Sequence, residues 1–281
     1  MKRKTIGLAL GSGGIRGLAH VGVIKTLLTH NIPIDFIAGS SIGAWVGAHY
    51  ALFQDIERLE EFTVNRKEEK LRTFLEPSLK GGLIAGVRTK ALLNDWLDHS
   101  TFEDTKIPLS VVATDLHTRE AVIFSQGDLT PAVQASMAIP GVFRPISYQK
   151  KTLVDGGVTK PVPTDIVKHM GADIVIAVNL YRLPPDPEDH APGMNFFAVA
   201  SRTMEIMRYQ LSNTNLHLAD ILIEPLLGSH SSWANYFRTD AGPEIVAIGE
   251  AETEKQIGFI KALLEQEEKR SIKSGLISRI T

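Results

Sequence analysis

The sequence predicts an α/β fold of three layers, with a mainly parallel central sheet flanked by helices. Three observations predict it. The apolar run Thr5 to Leu10 ends in a glycine-rich stretch, Gly11-Ser12-Gly13-Gly14-Ile15-Arg16-Gly17, and passes into a helical pattern with Leu18, Val21, Ile24 and Leu28 on one face. A second apolar run, Ile34 to Ala38, turns almost at once into another helix-like run, Ala44 to Phe53. That β-loop-α-β-turn-α order is built by right-handed crossovers between parallel strands. The third observation is Leu109 to Thr114, nearly all apolar, as a central strand buried on both faces must be.

The other elements follow in order. Asp55 to Lys70 reads as a charged amphipathic helix on the surface, Pro77 to Gly86 as a loop that can border a cleft, and Thr89 to Leu97 as a helix with Leu92, Leu93 and Trp96 apolar. Ala121 to Phe124 is a strand, and Thr130 to Ala138 is a small-residue helix stopped at Pro140-Gly141. Lys151 to Val154 is a strand entering the tight turn Asp155-Gly156-Gly157. Pro163 to Met170 and Asp173 to Leu180 form a helix-strand unit, and the Pro- and Asp-rich Leu183 to Gly193 reads as a mobile loop. Asn195 to Leu218 is a long helix, Ile221 to Glu224 a short strand and Glu244 to Glu268 a last helix. With no repeat or low-complexity segment, a single domain is expected over 1–281. It has a core at about 5–180, a helical C-terminal part at about 195–268 and a basic tail at 269–281.

Composition narrows the function classes. Hydrophobic residues make up 43% of the 281 and charged residues 22%, as in an ordinary soluble globular protein. A net charge of −2 gives no field that would favour nucleic acid as a partner. The absence of cysteine removes disulfides, a thiol nucleophile and thiolate metal sites. Met1 to Lys4 followed by Ile6 to Leu10 resembles the start of a signal peptide, but the apolar run is short, breaks into glycines and shows no cleavage site. No stretch approaches the roughly 20 apolar residues of a membrane span. A cytoplasmic location is expected, with any membrane contact peripheral. The tail's Ile272, Leu276 and Ile280 among Lys269, Arg270, Lys273 and Arg279 read first as a solvated helix end, and secondly as a contact for an anionic bilayer.

Three short stretches can carry chemistry. Gly39-Ser40-Ser41-Ile42-Gly43 stands between a strand and a helix, where a nucleophile elbow exposes a serine hydroxyl on a strained turn. Ser41 then needs a base. A Ser…Asp…His triad would draw on His190, His217 or His230, none of which lies in a positioning motif. Asp155 is better placed, at a strand end before two glycines, and a carboxylate within hydrogen-bond reach can deprotonate a serine directly. The Gly11–Gly17 stretch has three readings beside a plain packing turn. As a dinucleotide fingerprint its third glycine position falls on Arg16, and Asp35, the acidic candidate about 20 residues on, precedes its strand instead of ending it. As a phosphate loop it lacks the Gly-Lys-Ser/Thr ending. As an oxyanion hole it offers backbone N–H groups to a developing negative charge. The Met204, Met207, Leu211 stripe reads as core packing.

Taken together, Gly11 to Gly17, Gly39 to Gly43 and Asp155-Gly156-Gly157 resemble the three ordered motifs of the patatin-like phospholipase family. The bacterial members related to the catalytic domain of neuropathy target esterase look most similar. Val112 to Leu116 and Ala135 to Phe143 are also similar to that family, so the resemblance spans roughly 5 to 180. It implies Ser41 as nucleophile, Asp155 as general base, and Gly13, Gly14 and Arg16 as oxyanion hole. It implies a dyad without histidine, cofactor or metal, acting on phospholipid, lysophospholipid or related esters through an acyl-enzyme. Ser12 departs from the pattern, where the family usually has glycine. A nucleotide-binding module and a non-catalytic binding protein on the same fold remain as alternatives.

Overall fold

The computed structural model describes residues 3–74, 76–78, 81–182, 196–227 and 241–277. The loop expected at Leu183 to Gly193, His190 and His230 lie outside these residues. So do the side chains of the basic tail.

The chain begins as its apolar pattern dictates. Strand β1 (Ile6–Leu10) leads through a 3-10 turn (Gly14–Leu18) into helix α1 (Ala19–Thr29), and β2 (Phe36–Ser40) turns directly into α2 (Ile42–Phe53). Next come α3 (Ile56–Glu60), α4 (Lys67–Phe74), β3 (Gly82–Ile84), α5 (Val87–Trp96), β4 (Leu109–Asp115), β5 (Ala121–Phe124) and α6 (Leu129–Ser136). They are followed by β6 (Gly141–Phe143), β7 (Ile146–Tyr148), β8 (Lys151–Asp155), α7 (Thr164–His169) and β9 (Ile174–Val178). The chain closes with α8 (Phe196–Ser212), β10 (Ile221–Ile223) and α9 (Ala241–Ile277).

Five strands run parallel in the order β10-β9-β1-β2-β4, and the sheet is completed by β5 and β8, each paired antiparallel to β4, and by β7, paired antiparallel to β8. Alternation along the strands sorts their side chains into two unequal cores. Ile6, Leu8 and Leu10 point into the larger one with helices α1, α2 and α9, whereas Ala9, Ala38 and Ala177 face Ile166 and Val167 of α7. Small residues on that second face let α7 lie close to the sheet. The result is the α/β class expected, a mostly parallel sheet with helices on both faces.

Four departures from the expected elements have local causes. The helix expected over Asp55 to Lys70 breaks at a π turn (Glu61–Asn65), where Thr63 turns its hydroxyl onto the carbonyl of Leu59 and buries itself. The stretch Pro77 to Gly86 is not all loop, because Gly82–Ile84 pairs in parallel with β6 as a two-stranded sheet too short to show a period in the sequence. The helix expected to reach Leu218 ends at Ser212, since Ser212, Asn213 and Thr214 turn their side chains back onto carbonyls of the last turn. Finally, β7 and β8 form a hairpin through Gln149 and Lys150, both at positive φ (48° and 62°). Such a turn normally signals itself with Asn-Gly or Asp-Gly, and here it does not.

An aromatic cluster backs α2. Trp45 stacks on Trp96 with ring centroids 4.7 Å apart, and the His49 ring sits against Phe53 and Phe62. His49 is fully buried, and neither ring nitrogen has a hydrogen-bond partner among the described residues. Burial first, and then the nearby Arg58 charge, hold its pKa down at about 3. Because that folded value lies below the ordinary 6.5, the unfolded chain takes up the proton first; the associated stability is complete above pH 6.5 and drains away as pH falls toward 3. His49→Leu is therefore expected to raise the melting temperature. Removing two unsatisfied nitrogens is worth about 1 kcal/mol at pH 8, and the lost titration adds about 2 kcal/mol at pH 5. Thermal melts at both pH values check this, and a gain no larger at pH 5 than at pH 8 would count against it.

Candidate active site

Ser41 occupies the one residue between β2 and α2, at φ 56° and ψ −122°, a left-handed conformation that a non-glycine residue adopts only under constraint. The constraint is visible. The Ser41 backbone N–H donates to Ser136 Oγ at 2.8 Å, and a Cβ on Gly43 would stand 2.2 Å from the Leu10 carbonyl oxygen. Helix α2 therefore starts almost in contact with β1, which forces the chain to turn within one residue. The Ser41 side chain is left at the C-terminal edge of the parallel strands, 4% exposed.

Asp155 reaches the same edge by another route. β2, which leads to Ser41, runs parallel to β4, whereas β8, which ends in Asp155, runs antiparallel to it. The registers explain the meeting. β2 pairs with β4 up to Ser40↔Val112, and β8 takes over from Ala113↔Asp155 to Asp115↔Leu153. β5 pairs with residues of β4 that overlap both stretches, so it holds the opposite flank, and β2 and β8 share one flank of β4, end to end. Their C-termini face each other across a single step of the ladder. Only glycine fits at 156, where a Cβ would fall 2.2 Å from the Val112 carbonyl oxygen and 2.8 Å from Ser40 Oγ.

In this junction Ser41 Oγ donates to Asp155 Oδ2 at 2.6 Å, while Gly157 N–H donates to Asp155 Oδ1 at 2.7 Å. The Asp155 backbone is held too: its N–H donates to the Ala138 carbonyl, and Thr114 Oγ1 donates to its carbonyl oxygen. The carboxylate is 1% exposed. Burial raises its pKa above the ordinary carboxylate value, opposed by the Arg208 charge and by the hydrogen bonds from Ser41 and Gly157. A carboxylate that is hydrogen-bonded to a serine hydroxyl and holds its proton more tightly than usual is chemically a base.

The glycine loop lies beside this pair. Gly11 N–H donates to the Val178 carbonyl and Ser12 N–H to the Pro161 carbonyl, which pins the loop's entry. Gly14 takes φ 58° at the start of the 3-10 turn. Arg16 is buried: its Nε donates to the Gly13 carbonyl, its Nη1 meets Glu205 Oε1 at 3.1 Å, and its guanidinium lies 5.0 Å from the centroid of the Tyr181 ring. Arg16 thus braces the loop and is itself neutralised by Glu205. Ser12, the departure from the family pattern, shares a 2.8 Å hydrogen bond with the Tyr181 hydroxyl. His20, also buried, bonds the Gly11 carbonyl oxygen through Nε2 at 2.7 Å. Burial lowers its pKa to about 4, so at neutral pH it is an uncharged donor.

His217 is exposed on a 3-10 turn (Leu216–Leu218), and the group that the structure brings to Ser41 is Asp155. Sequence reasoning missed Ser136, Tyr181 and Arg208. The Met204, Met207, Leu211 stripe is corrected as well. Met207 is 65% exposed, and the stripe lines an open apolar groove of about 520 Å³ with Val158, three residues beyond Asp155. It does not belong to the core, because no element among the described residues covers that face of α8. No helix among the described residues is long and apolar enough to cross a membrane.

The family described as patatin-like phospholipase matches residues 8–168. An NTE family protein of Mycobacterium tuberculosis is 40% identical over 179 residues, which cover 62% of this chain and 49% of the relative. Patatin-like phospholipase domain-containing protein 6 of Homo sapiens is 32% identical over 183 residues, 63% of this chain and 13% of that protein. The chain thus spans half or less of the curated relatives it matches. Among solved structures, VipD from Legionella pneumophila superposes with a TM-score of 0.62 at 14% identity, covering 92% of this chain and 67% of that one, a likeness of fold.

The elbow's dependence on Ser136 is open to test. Ser136→Ala leaves the buried Ser41 N–H without its partner, which is expected to cost about 1–3 kcal/mol of stability. Any turnover that depends on Ser41 should fall with it. Denaturant melts and ester assays read both effects, and unchanged values in both would show that the elbow does not lean on this hydroxyl.

Proposed function

The chain belongs to the patatin-like phospholipase family, and from that premise we propose that it is a serine lipid acyl hydrolase cleaving carboxylic esters through a Ser41–Asp155 dyad. One observation carries the reading: the 2.6 Å hydrogen bond from Ser41 Oγ to Asp155 Oδ2, formed in a buried junction by a serine at an elbow of positive φ. A structural serine needs neither the strained backbone nor a desolvated carboxylate.

The steps follow from the groups present. Asp155 takes the Ser41 proton as Oγ attacks the ester carbonyl carbon. Negative charge gathers on the carbonyl oxygen, to be met by backbone N–H groups of Gly13 and Gly14 in the loop that Arg16 braces. As the tetrahedral intermediate collapses, the C–O bond to the alcohol breaks and Asp155 returns the proton to the leaving oxygen. The acyl group remains on Ser41. Water then gives its proton to Asp155 and attacks the acyl carbon. Release of the fatty acid restores the Ser41 hydroxyl with the same proton. The apolar groove beside Val158 suits an acyl chain, and the names of the relatives point to lipid substrates, with phospholipids or lysophospholipids the first choice. Substrates of that kind are met at membrane surfaces, so contact with a bilayer would be peripheral.

A fluorophosphonate probe should label Ser41 in the native protein and not in Ser41→Ala, and a panel of lysophospholipid esters should lose turnover in the same variant. Labelling that persists in Ser41→Ala would move the nucleophile elsewhere and sink the dyad. Asp155→Asn should lower kcat by on the order of 10²–10⁴-fold and at the same time raise the melting temperature at pH 8. The sign follows from linkage: with a raised folded pKa, the ionised side chain opposes folding, a penalty absent at acid pH and complete above the folded value. For the same reason the base works only above that value. The kcat/KM profile should fall on its acid side with a midpoint above the ordinary carboxylate value of about 3.9. A midpoint at or below that value would contradict the assigned base.

A further inference from the structure

Arg208 stands out on α8. It lies on the stripe Met204, Met207, Leu211 at helical spacing, so a cation is set into the apolar wall of the groove next to the Ser41–Asp155 pair. Its Nη2 is buried and has no hydrogen-bond partner among the described residues. The neighbouring acid, Glu205, makes its hydrogen bonds elsewhere, one oxygen to Arg16 and the other to Arg202. Asp155 and Tyr181 feel the Arg208 charge through space, while the carboxylate's own hydrogen bonds come from Ser41 and Gly157. A guanidinium kept in an apolar wall with a buried donor that has no hydrogen-bond partner among the described residues carries a desolvation cost that the through-space attraction of Asp155 offsets only in part. A ligand anion would offset it.

We propose that Arg208 is the anion subsite of the groove, binding the phosphate of an amphiphile whose alkyl chain lies along Met204, Met207 and Leu211. The chemistry is that of a planar guanidinium, whose paired N–H donors match two oxygens of a phosphate. The stripe supplies the apolar half of the same ligand within one helix turn of the charge. The assignment rests on the hydrolase reading, and it deepens that reading by naming the residue that holds the phosphate and the helix face that holds the chain. Arg208 thereby differs in role from Arg16, whose charge Glu205 already takes up.

The test is binding, so that it does not depend on turnover. Dodecyl phosphate, n-dodecyl maltoside and inorganic phosphate are titrated calorimetrically, below micellar concentrations, into the wild type, Arg208→Gln and Arg208→Lys. Arg208→Gln should weaken dodecyl phosphate by roughly tenfold or more, and Arg208→Lys by less, while maltoside affinity stays level in all three. Equal weakening of both amphiphiles, whether from lost packing or from a damaged fold, overturns the subsite, as does no weakening at all. Inorganic phosphate binding the wild type as tightly as dodecyl phosphate would assign the site to free phosphate and overturn the lipid assignment. A protein that discriminates in this assay yet hydrolyses no ester would retain the subsite and lose the hydrolase reading, and the converse result would do the opposite.

Discussion

The structure turns on two strands that run into each other. β2 and β8 approach from opposite directions along one flank of β4, and both stop where they meet. Neither can continue, because the ladder positions ahead are occupied by the other. The chain must leave each strand at once, through Ser41 in one case and through Gly156-Gly157 in the other. That collision produces the features that matter to the site: the positive φ at Ser41, the tolerance of glycine alone at 156, and the 2.6 Å contact between hydroxyl and carboxylate. The side chains meet because the backbones are blocked.

The surroundings keep the contact poised. Asp155 is buried with two hydrogen bonds to its carboxylate, fewer than an ionised carboxylate would gather in water, and its proton affinity rises accordingly. The cations nearby divide their tasks. Arg16 is committed to Gly13, Glu205 and the face of Tyr181, so it stiffens the glycine loop more than it charges the cavity. Arg208 supplies the field that restrains the rise. Ser12 joins this frame through Tyr181. A serine in place of a glycine therefore ties the loop to the end of β9's continuation at Tyr181, a rigid contact where glycine would leave none.

Much of this was legible from residue order. Strand-loop-helix patterns marked β1, β2, β4, β9 and the helices between them, since long apolar runs and helical spacing are signals carried by many residues at once. Ser41 and Asp155 stood out because each stands at a strand end, Ser41 between Gly39 and Gly43 and Asp155 before Gly156-Gly157. What escaped notice depends on partners distant in sequence. Ser136 is one small residue in a helix of small residues, and nothing local says that its hydroxyl meets the N–H of Ser41, 95 positions away. The direction of β8 was hidden because its hairpin turn is Gln149-Lys150, which lacks the usual turn residues. The methionine stripe differs from its expected place in the core because exposure is a tertiary fact, and an amphipathic helix shows the same spacing whether its apolar face is covered or left as a groove wall.

That hairpin turn has a consequence for how the gene can vary. Tyr148 pairs with Lys151 across two residues, and from there the ladder counts down to Asp155. In a strand, successive side chains alternate between faces, so one codon gained or lost in this turn that shifted the register would send the carboxylate to the far side of the sheet. Substitutions at Gln149 and Lys150 need only tolerate a left-handed backbone, but their number is fixed. Sequence drift in this surface turn should therefore be free in identity and frozen in length, a pattern usually associated with buried segments.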